Sequence, residues 1–395
     1  MNSELINIIR SKADELFDKI RDTREHIHAH PELSYQEHAT MTFVFDRLVE
    51  IGLDPVKGVG GTGVVALITN DSFDDNAPCI GLRADLDALP ITEANDVPYK
   101  SKNPGVMHAC GHDVHTSILL GAAEILYSLK DQLPHPVKLV FQPGEEKNPG
   151  GATLMIKDGV LKDPEVKSMY ALHVFPELPA GEVGFKDGLY MASCDEIHMT
   201  INGRGGHGAM PHNCIDPIMI GATLITQLQQ VVSRHCDPKI PCVLSFGHFE
   251  AIGATNVIPE RAHIKGTFRT MNEEWRSEAH NLIESKSLAL VESYGATLDL
   301  EISKGYPFLM NDTQETNQLK DKAINSLGNN KVHDLPIRMT AEDFSYYSQE
   351  VPVCFFRLGV RNEAKGIIHG VHHPKFDIEP EALKTGMIMM TMAAF

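Results

Sequence analysis

The sequence lacks any run of about 18 uncharged apolar residues, which excludes a membrane-spanning helix. It lacks positive charge in excess: 35 Lys and Arg stand against 53 Asp and Glu, a formal net charge of −18. Nucleic acids and anionic membranes both require a basic face, so neither is an expected partner. A Cys-x-x-Cys pair is also missing. The cysteines are Cys79, Cys110, Cys194, Cys214, Cys236, Cys242 and Cys354, an odd number scattered along 395 residues. That pattern argues against a disulfide scaffold and for a reducing, cytoplasmic compartment. The first residues include Glu4 and no compact apolar segment, so a secretory signal is not expected. There is no internal repeat and no low-complexity tract. What remains is globular usage, with 42% hydrophobic and 22% charged residues. The length suits two or three domains of roughly 100–200 residues.

The order of elements gives the organisation. Leu5, Ile9, Ala13, Leu16 and Ile20 form one stripe of an amphipathic helix running to about His28. A second helix covers roughly Glu37–Ile51 and stops at Gly52. Short apolar runs at Val64–Thr69, Ile80–Ala84, Val137–Gln142, Met169–His173 and Val353–Leu358 read as buried strands, with a helix at Val114–Leu129 among them. Alternating strands and helices predict an α/β layer on a mixed, mostly parallel sheet flanked by helices. The middle of the chain departs from this. Strand 195–202, helix 215–233, strands 243–250 and 262–270, helix 272–292 and strand 297–302 follow a β-α-β-β-α-β order, the split, ferredoxin-like arrangement. Residues 187–304 are therefore expected to be a domain inserted into a catalytic domain made of 1–186 and 305–395.

Twenty histidines matter because several lie beside Cys, Asp or Glu. In Met107-His108-Ala109-Cys110-Gly111-His112-Asp113, the thiol of Cys110 and the imidazole of His112 can face one metal or neighbouring metals. The alternative is a buried thiol and a helix-capping Asp113. Gln142-Pro143-Gly144-Glu145-Glu146 follows an apolar strand, where open α/β sheets bring their ligands. Adjacent carboxylates there repel unless a cation offsets them, or else the segment is an exposed turn. Since neighbouring side chains point different ways, one can bind metal while the next addresses a water. His173 ends a strand, and His372 lies in Val371-His372-His373-Pro374. Cys110, His112, Glu146, His173 and His372 are more donors than one tetrahedral zinc requires. A thiolate shared between two ions about 3.5–4 Å apart would accommodate them.

In this order HACGHD, QPGEE, ALHV and HHPKFD resemble the metal-dependent amidohydrolase branch of the aminoacylase and glutamate-carboxypeptidase family. The branch includes hippurate hydrolases, auxin-conjugate hydrolases and N-acetyl-diaminopimelate deacetylases. The resemblance extends over nearly the whole chain, through HAHPELSYQE (28–37), RADLDALP (83–90), GRGGHGAMPH (203–212), GATNVIP (253–259), GTFRT (266–270) and AEDF (341–344). It departs at Val114 and His373, neither of which is an expected ligand. The resemblance implies that Cys110 bridges two divalent ions, with His112 and His173 completing one and Glu146 and His372 the other. It implies Glu145 as general base, and Asp85, Asp87 and Asp113 as groups that orient ligands. The inserted segment would be a lid carrying a homodimer contact. His207 would reach the other subunit's site to stabilise an oxyanion, and Asn256 and Arg269 would hold a substrate carboxylate.

The expected activity is cleavage of the amide of an N-acyl amino acid, a small molecule, with two ions per subunit. Histidine and carboxylate donors suit zinc, manganese, cobalt or nickel. A dipeptidase or carboxypeptidase is the close rival. A non-catalytic metal binder is a further one, although it would have no need of Glu145 beside Glu146.

Overall fold

A computed structural model describes residues 3–74 and 77–395. The chain divides into two units. One comprises Met1–Tyr190, Met310–Ile337 and Asp343–Phe395; the other comprises Met191–Leu309 and Arg338–Glu342.

The first unit begins with helices α1 (Ser3–Ala29) and α2 (His38–Ile51), strands β1 (Val56–Val59), β2 (Gly63–Ile68) and β3 (Cys79–Asp85), and helix α3 (His112–Ser128). Strand β4 (Val137–Gln142), helix α4 (Gly151–Lys157) and strands β5 (Val166–Pro179) and β6 (Val183–Phe185) follow. The second unit supplies β7 (Asp195–Asn202), α5 (Pro217–Gln230), β8 (Cys242–Glu250), β9 (Arg261–Thr270), α6 (Glu273–Ser293) and β10 (Thr297–Lys304). The chain then returns to the first unit with α7 (Thr313–Leu327), β11 (Val332–Asp334), α8 (Ser345–Ser348), β12 (Val353–Arg361) and α9 (Ala382–Ala393).

The first unit is built on an eight-stranded sheet of order β1-β2-β4-β3-β5-β12-β6-β11. Its centre is parallel, with β3 paired to β4 and β5, and β5 to β12. The β2–β4 and β12–β6 pairings are antiparallel, so the sheet is mixed. Strands β3 and β4 are buried along their whole length, which is why they read as continuous apolar runs rather than alternations. Ile6, Ile9, Ala13 and Ile20 of α1 join the core with α3 and α9. Helix α9 was not expected from the sequence. Eleven of its 12 residues are buried, so it shows no polar face and no helical period in its apolar residues.

The second unit has a four-stranded antiparallel sheet of order β8-β9-β7-β10. Along β7 burial alternates, and Ile197, Met199 and Ile201 meet Ile220, Leu224 and Leu228 of α5 and Ala279 and Ile283 of α6. The strand and helix limits lie within three residues of those expected from the sequence. Arg276 of α6 grips Asp195 with two bonds, Nε to Oδ2 at 2.9 Å and Nη2 to Oδ1 at 2.5 Å, and His280 reaches the same carboxylate at 2.7 Å. Arg276 and Asp195 are buried. Removing the guanidinium strands a buried carboxylate. Arg276→Met should therefore cost this unit about 3 kcal/mol, the low end for a broken buried pair because His280 remains. Trp275, the only tryptophan, lies in this core, so its fluorescence during denaturant unfolding reads the loss.

Candidate metal centre

The site forms at the carboxyl ends of β3 and β4 and midway along β5, which does not end at His173 as the sequence suggested but stays paired with β12 and runs on to Pro179. Strand β3 ends in Asp85, followed by Asp87; β4 runs into Glu145 and Glu146; His173 lies on β5; and Cys110 and His112 enter at the start of α3. Gly111 makes this entry possible. Its φ is 85°, and a Cβ there would lie 2.6 Å from Val174 Cγ2.

The turn after β4 is held by the motif at 28–37. Gly144 has φ 56°, and a Cβ would fall 2.2 Å from the ring of Tyr35. Glu37 Oε1 accepts the Gly144 N–H at 2.8 Å. Tyr35 donates its hydroxyl to Lys147 O at 2.6 Å and accepts the Gly150 N–H at 3.0 Å. So shaped, the turn directs the N–H groups of Glu145 and Glu146 to Asp87, at 3.1 and 3.0 Å. Asp87 also accepts from Ser34 Oγ at 2.6 Å and lies 3.2 Å from His112 Nδ1.

Five donors converge in two groups sharing Cys110. Cys110, His112 and His173 form one and Cys110, Glu146 and His372 the other, each with donor atoms within 4.8 Å of one another. Cys110 Sγ is 3.4 Å from His173 Nε2, Glu146 Oε1 is 3.3 Å from His372 Nε2, and His112 Nε2 is 4.0 Å from Glu146 Oε1. Two ligands about 2.0–2.3 Å from an ion at a tetrahedral angle lie about 3.3–3.7 Å apart, so these spacings suit shared ions. His112 Nε2 and Glu146 Oε1 are buried without a hydrogen-bond partner, the state expected of atoms reserved for a cation.

Electrostatics agree. Burial pushes His112 down, but Asp85, Asp87 and Glu146 outweigh it and raise the imidazole to about 10. Burial, with Glu146, Glu145 and Asp85, lifts the Cys110 thiol well above its ordinary value. Burial together with Arg357 and His115 keeps His173 neutral. A cluster that draws a proton onto His112 and holds Cys110 as a thiol is short of positive charge, and a divalent ion supplies it. The donor set therefore fits two metal ions.

The other anticipated residues fall into three places. Asp85, buried, bonds Arg83 at 2.6 Å and His115 at 2.6 Å and lies 3.7 Å from His112 Nε2. Asp113 faces away from the donors: its Oδ2 meets Arg24 at 2.8 Å and His28 at 2.7 Å. In the second unit, the ladder of Val257–Ile258 with Gly206–His207 brings His207 beside Asn256, whose carbonyl accepts the Gly208 N–H at 2.8 Å. Both are exposed. Arg269 lies on β9, where its Nη1 donates to Met339 O at 3.4 Å.

Glu145 is buried, and its Oε1 accepts the Asp343 N–H at 3.4 Å. Asp343 is in turn fixed by Arg83 at 2.8 Å, by Gln142 and by the Ala152 N–H at 3.0 Å. Sequence reasoning assigned no role to Arg83, Gln142, Asp343 or His115. His115 carried the one local signal, a second imidazole three residues beyond His112 on the same helix face.

At neutral pH the metal-free site holds protons on Cys110 and His112, and ions can enter only by displacing them. Adding zinc at pH 7.5 should release about two protons per chain from these groups. Affinity should fall as pH is lowered, because protons compete for the same atoms. A pH-indicator titration in weak buffer measures this. No release would mean that neither group is a ligand.

Residues 81–394 match the model of Peptidase family M20/M25/M40. The chain is 38% identical over 364 residues to the N-acetyl-L-cysteine deacetylase of Bacillus subtilis (strain 168), covering 91% of this chain and 83% of that protein. It is 36% identical over 394 residues to thermostable carboxypeptidase 2 of Saccharolobus solfataricus, covering 99% and 98%. Among solved structures, the YxeP protein of Bacillus subtilis, described as a dinuclear metal-binding peptidase, superposes with a TM-score of 0.81 at 31% identity, covering 96% of this chain and 98% of that one. The chain therefore belongs to Peptidase family M20/M25/M40 and is a hydrolase of that family.

Proposed function

We propose that the protein is a dinuclear metal-dependent amidohydrolase that removes the acyl group from N-acyl-L-amino acids. The observation that carries this reading is the division of labour between adjacent carboxylates. Glu146 Oε1 lies among Cys110, His112 and His372, while Glu145 Oε1 bonds the backbone of Asp343. A binding site needs Glu146; only a reaction needs Glu145 as well.

Cys110 would bridge the ions, with His112 and His173 on one and Glu146 and His372 on the other. Zinc, manganese, cobalt and nickel all suit this set. The bound pair supplies Lewis acidity and a water acidic enough to attack near neutral pH. Glu145, itself buried, would accept the proton of that water and return it to the departing amine. His207 is suited to stabilise the oxyanion. Its Nδ1 accepts the Ala209 N–H at 3.0 Å, which leaves the ring proton on Nε2. Arg269 and Asn256 would hold the carboxylate of the amino-acid half, for which a planar guanidinium is suited. Asp87 would orient His112 through its Nδ1, Asp85 would act through Arg83 and His115, and Asp113 would act at a remove, by anchoring the start of α3.

The second unit, with its β-α-β-β-α-β order, would be a ferredoxin-like lid inserted at about 187–304 and the contact of a homodimer, His207 serving the partner's site. The seven free cysteines suit a reducing compartment, so we place the enzyme in the cytoplasm. The alternative is a carboxypeptidase or dipeptidase, favoured by the likeness to thermostable carboxypeptidase 2.

Glu145→Gln should lower turnover of an N-acetyl amino acid at least about 10²-fold, with metal content by elemental analysis unchanged. Glu146→Gln should instead lower bound metal. Parent-like turnover by Glu145→Gln would remove it as the base. Run on a panel of N-acyl amino acids and dipeptides, the parent's kcat/KM decides between deacylase and peptidase. Sharing of the site is tested by exchanging subunits between inactive Glu145→Gln and His207→Ala. One site of each mixed dimer then has both groups intact, so activity should return to about half per mixed dimer. Persistent inactivity would place His207 in its own chain's site, and a His207→Ala variant that is active on its own would place it outside the chemistry.

A further inference from the structure

One buried imidazole beside the metal cluster has no part in the reading above. His115, on the third residue of α3 after His112, lies with its ring centroid 5.4 Å from that of His112 and 4.8 Å from that of His173. Asp85, His112 and His115 also present donor atoms within 4.8 Å of one another, a spacing that a metal could use. The hydrogen bonds of His115 decide against that use. Its Nδ1 meets Asp85 Oδ1 at 2.6 Å, and its Nε2 accepts the Val174 N–H at 2.9 Å. Accepting at Nε2 puts the proton on Nδ1, where it is donated to Asp85. Both nitrogens are spent, and no lone pair remains for an ion.

The place of these bonds shows what they do. The parallel ladder between β3 and β5 ends at the pair Arg83↔Ala171. Beyond it β3 turns off through Asp85, and the Val174 N–H is met by a side chain instead of a strand. His115 thus ties the end of β3 to β5 one residue past His173. Val174 also carries, on its next peptide, the carbonyl that orients His173, whose Nδ1 lies 2.8 Å from Val174 O. With its Nδ1 proton donated there, His173 turns Nε2 toward Cys110. An orienting partner of this kind on a ligand histidine commonly changes metal affinity about 10–100-fold.

We propose that His115 is a positioning residue for the ion held by His173: it fixes the backbone of Val174, whose carbonyl sets the His173 ring, and does not itself bind metal. The inference rests on the dinuclear reading given above.

Three substitutions separate its two bonds. His115→Gln can keep an acceptor near the Nε2 position for Val174. His115→Asn can keep a donor near the Nδ1 position for Asp85 but cannot reach Val174. His115→Leu loses both. Zinc affinities of the full-length parent and variants are measured by competition with a chromophoric chelator, and the cobalt(II) form gives an absorption spectrum sensitive to ligand geometry. Melting of the metal-free proteins records stability separately. The expected result is that Asn and Leu each weaken one of two bound ions about 10–100-fold and alter the cobalt spectrum, while Gln stays near the parent in both. If all three keep the parent's affinities and spectrum and only the melting temperature falls, His115 is structural and the proposal fails. If all three, Gln included, lose one ion outright, His115 is a ligand and the proposal fails differently. A parent that binds fewer than two ions would refute the dinuclear reading itself, and the proposal with it. Should the Leu variant not fold, the Asn and Gln pair still decides the matter.

Discussion

The carboxylate of Asp87 is the constraint on which the site is built. A buried charge is costly unless hydrogen bonds surround it, and Asp87 is buried with four. Those four come from Ser34, the ring of His112 and the backbone of Glu145 and Glu146. The four come from three pieces of chain: the segment between α1 and α2, the start of α3 and, for the two glutamates, the turn after β4. Satisfying one oxygen pair therefore fixes the His112 imidazole and the two adjacent carboxylates in one frame. The ordinary aim of leaving no buried charge unpaired and the functional aim of aligning a site are met by the same bonds.

A second buried hub does for Glu145 what Asp87 does for Glu146. Arg83 joins Asp85 at the end of β3, Gln142 at the end of β4 and Asp343. Its planar fork reaches each of the three from a different nitrogen, which a lysine could not do. Asp343 then offers its own backbone N–H to Glu145. Glu145, the proposed base, is thus held from the main chain side by a residue whose position depends on an arginine two residues before Asp85. Parallel strands make this economical, because neighbouring strand ends arrive side by side at one edge of the sheet.

Much of this was legible in the sequence, and the legible part has a common character. Strands β4 and β7 were read to the residue, since a buried run and a clean alternation each leave a direct trace. The donors at 110, 112 and 146 stood in short motifs whose chemistry is local. What escaped was set by distance or by burial. Gln142 and Asp343 are 201 residues apart, Arg24 and Asp113 are 89, and no pattern in either segment names the other. Helix α9 escaped because a helix buried on all sides has no amphipathic period. Asp113 illustrates the limit of motif reading. It adjoins a donor in sequence, yet on a helix neighbouring side chains diverge, and its bonds go to Arg24 and His28.

The two donor groups are alike in number but not in support, and the difference follows from how each histidine is held. His112 and His173 are buried, and each has its outer ring nitrogen engaged, by Asp87 and by Val174 O. His372 is 53% exposed at its side chain and has no hydrogen bond to Nδ1 among the described residues. Only its backbone is fixed, by the bond of its N–H to Ala109 O at 2.7 Å and by a φ of 64° that a non-glycine residue adopts only under restraint. One half of the cluster is thus set by buried side-chain contacts before any ion arrives. In the other half, an ion bound as proposed would have to supply part of the ordering of His372 and bear the entropy that ordering costs. If Cys110 bridges the two, the rigid half presents the thiolate in place. The looser half can then exchange its ligand geometry without disturbing His112 or His173.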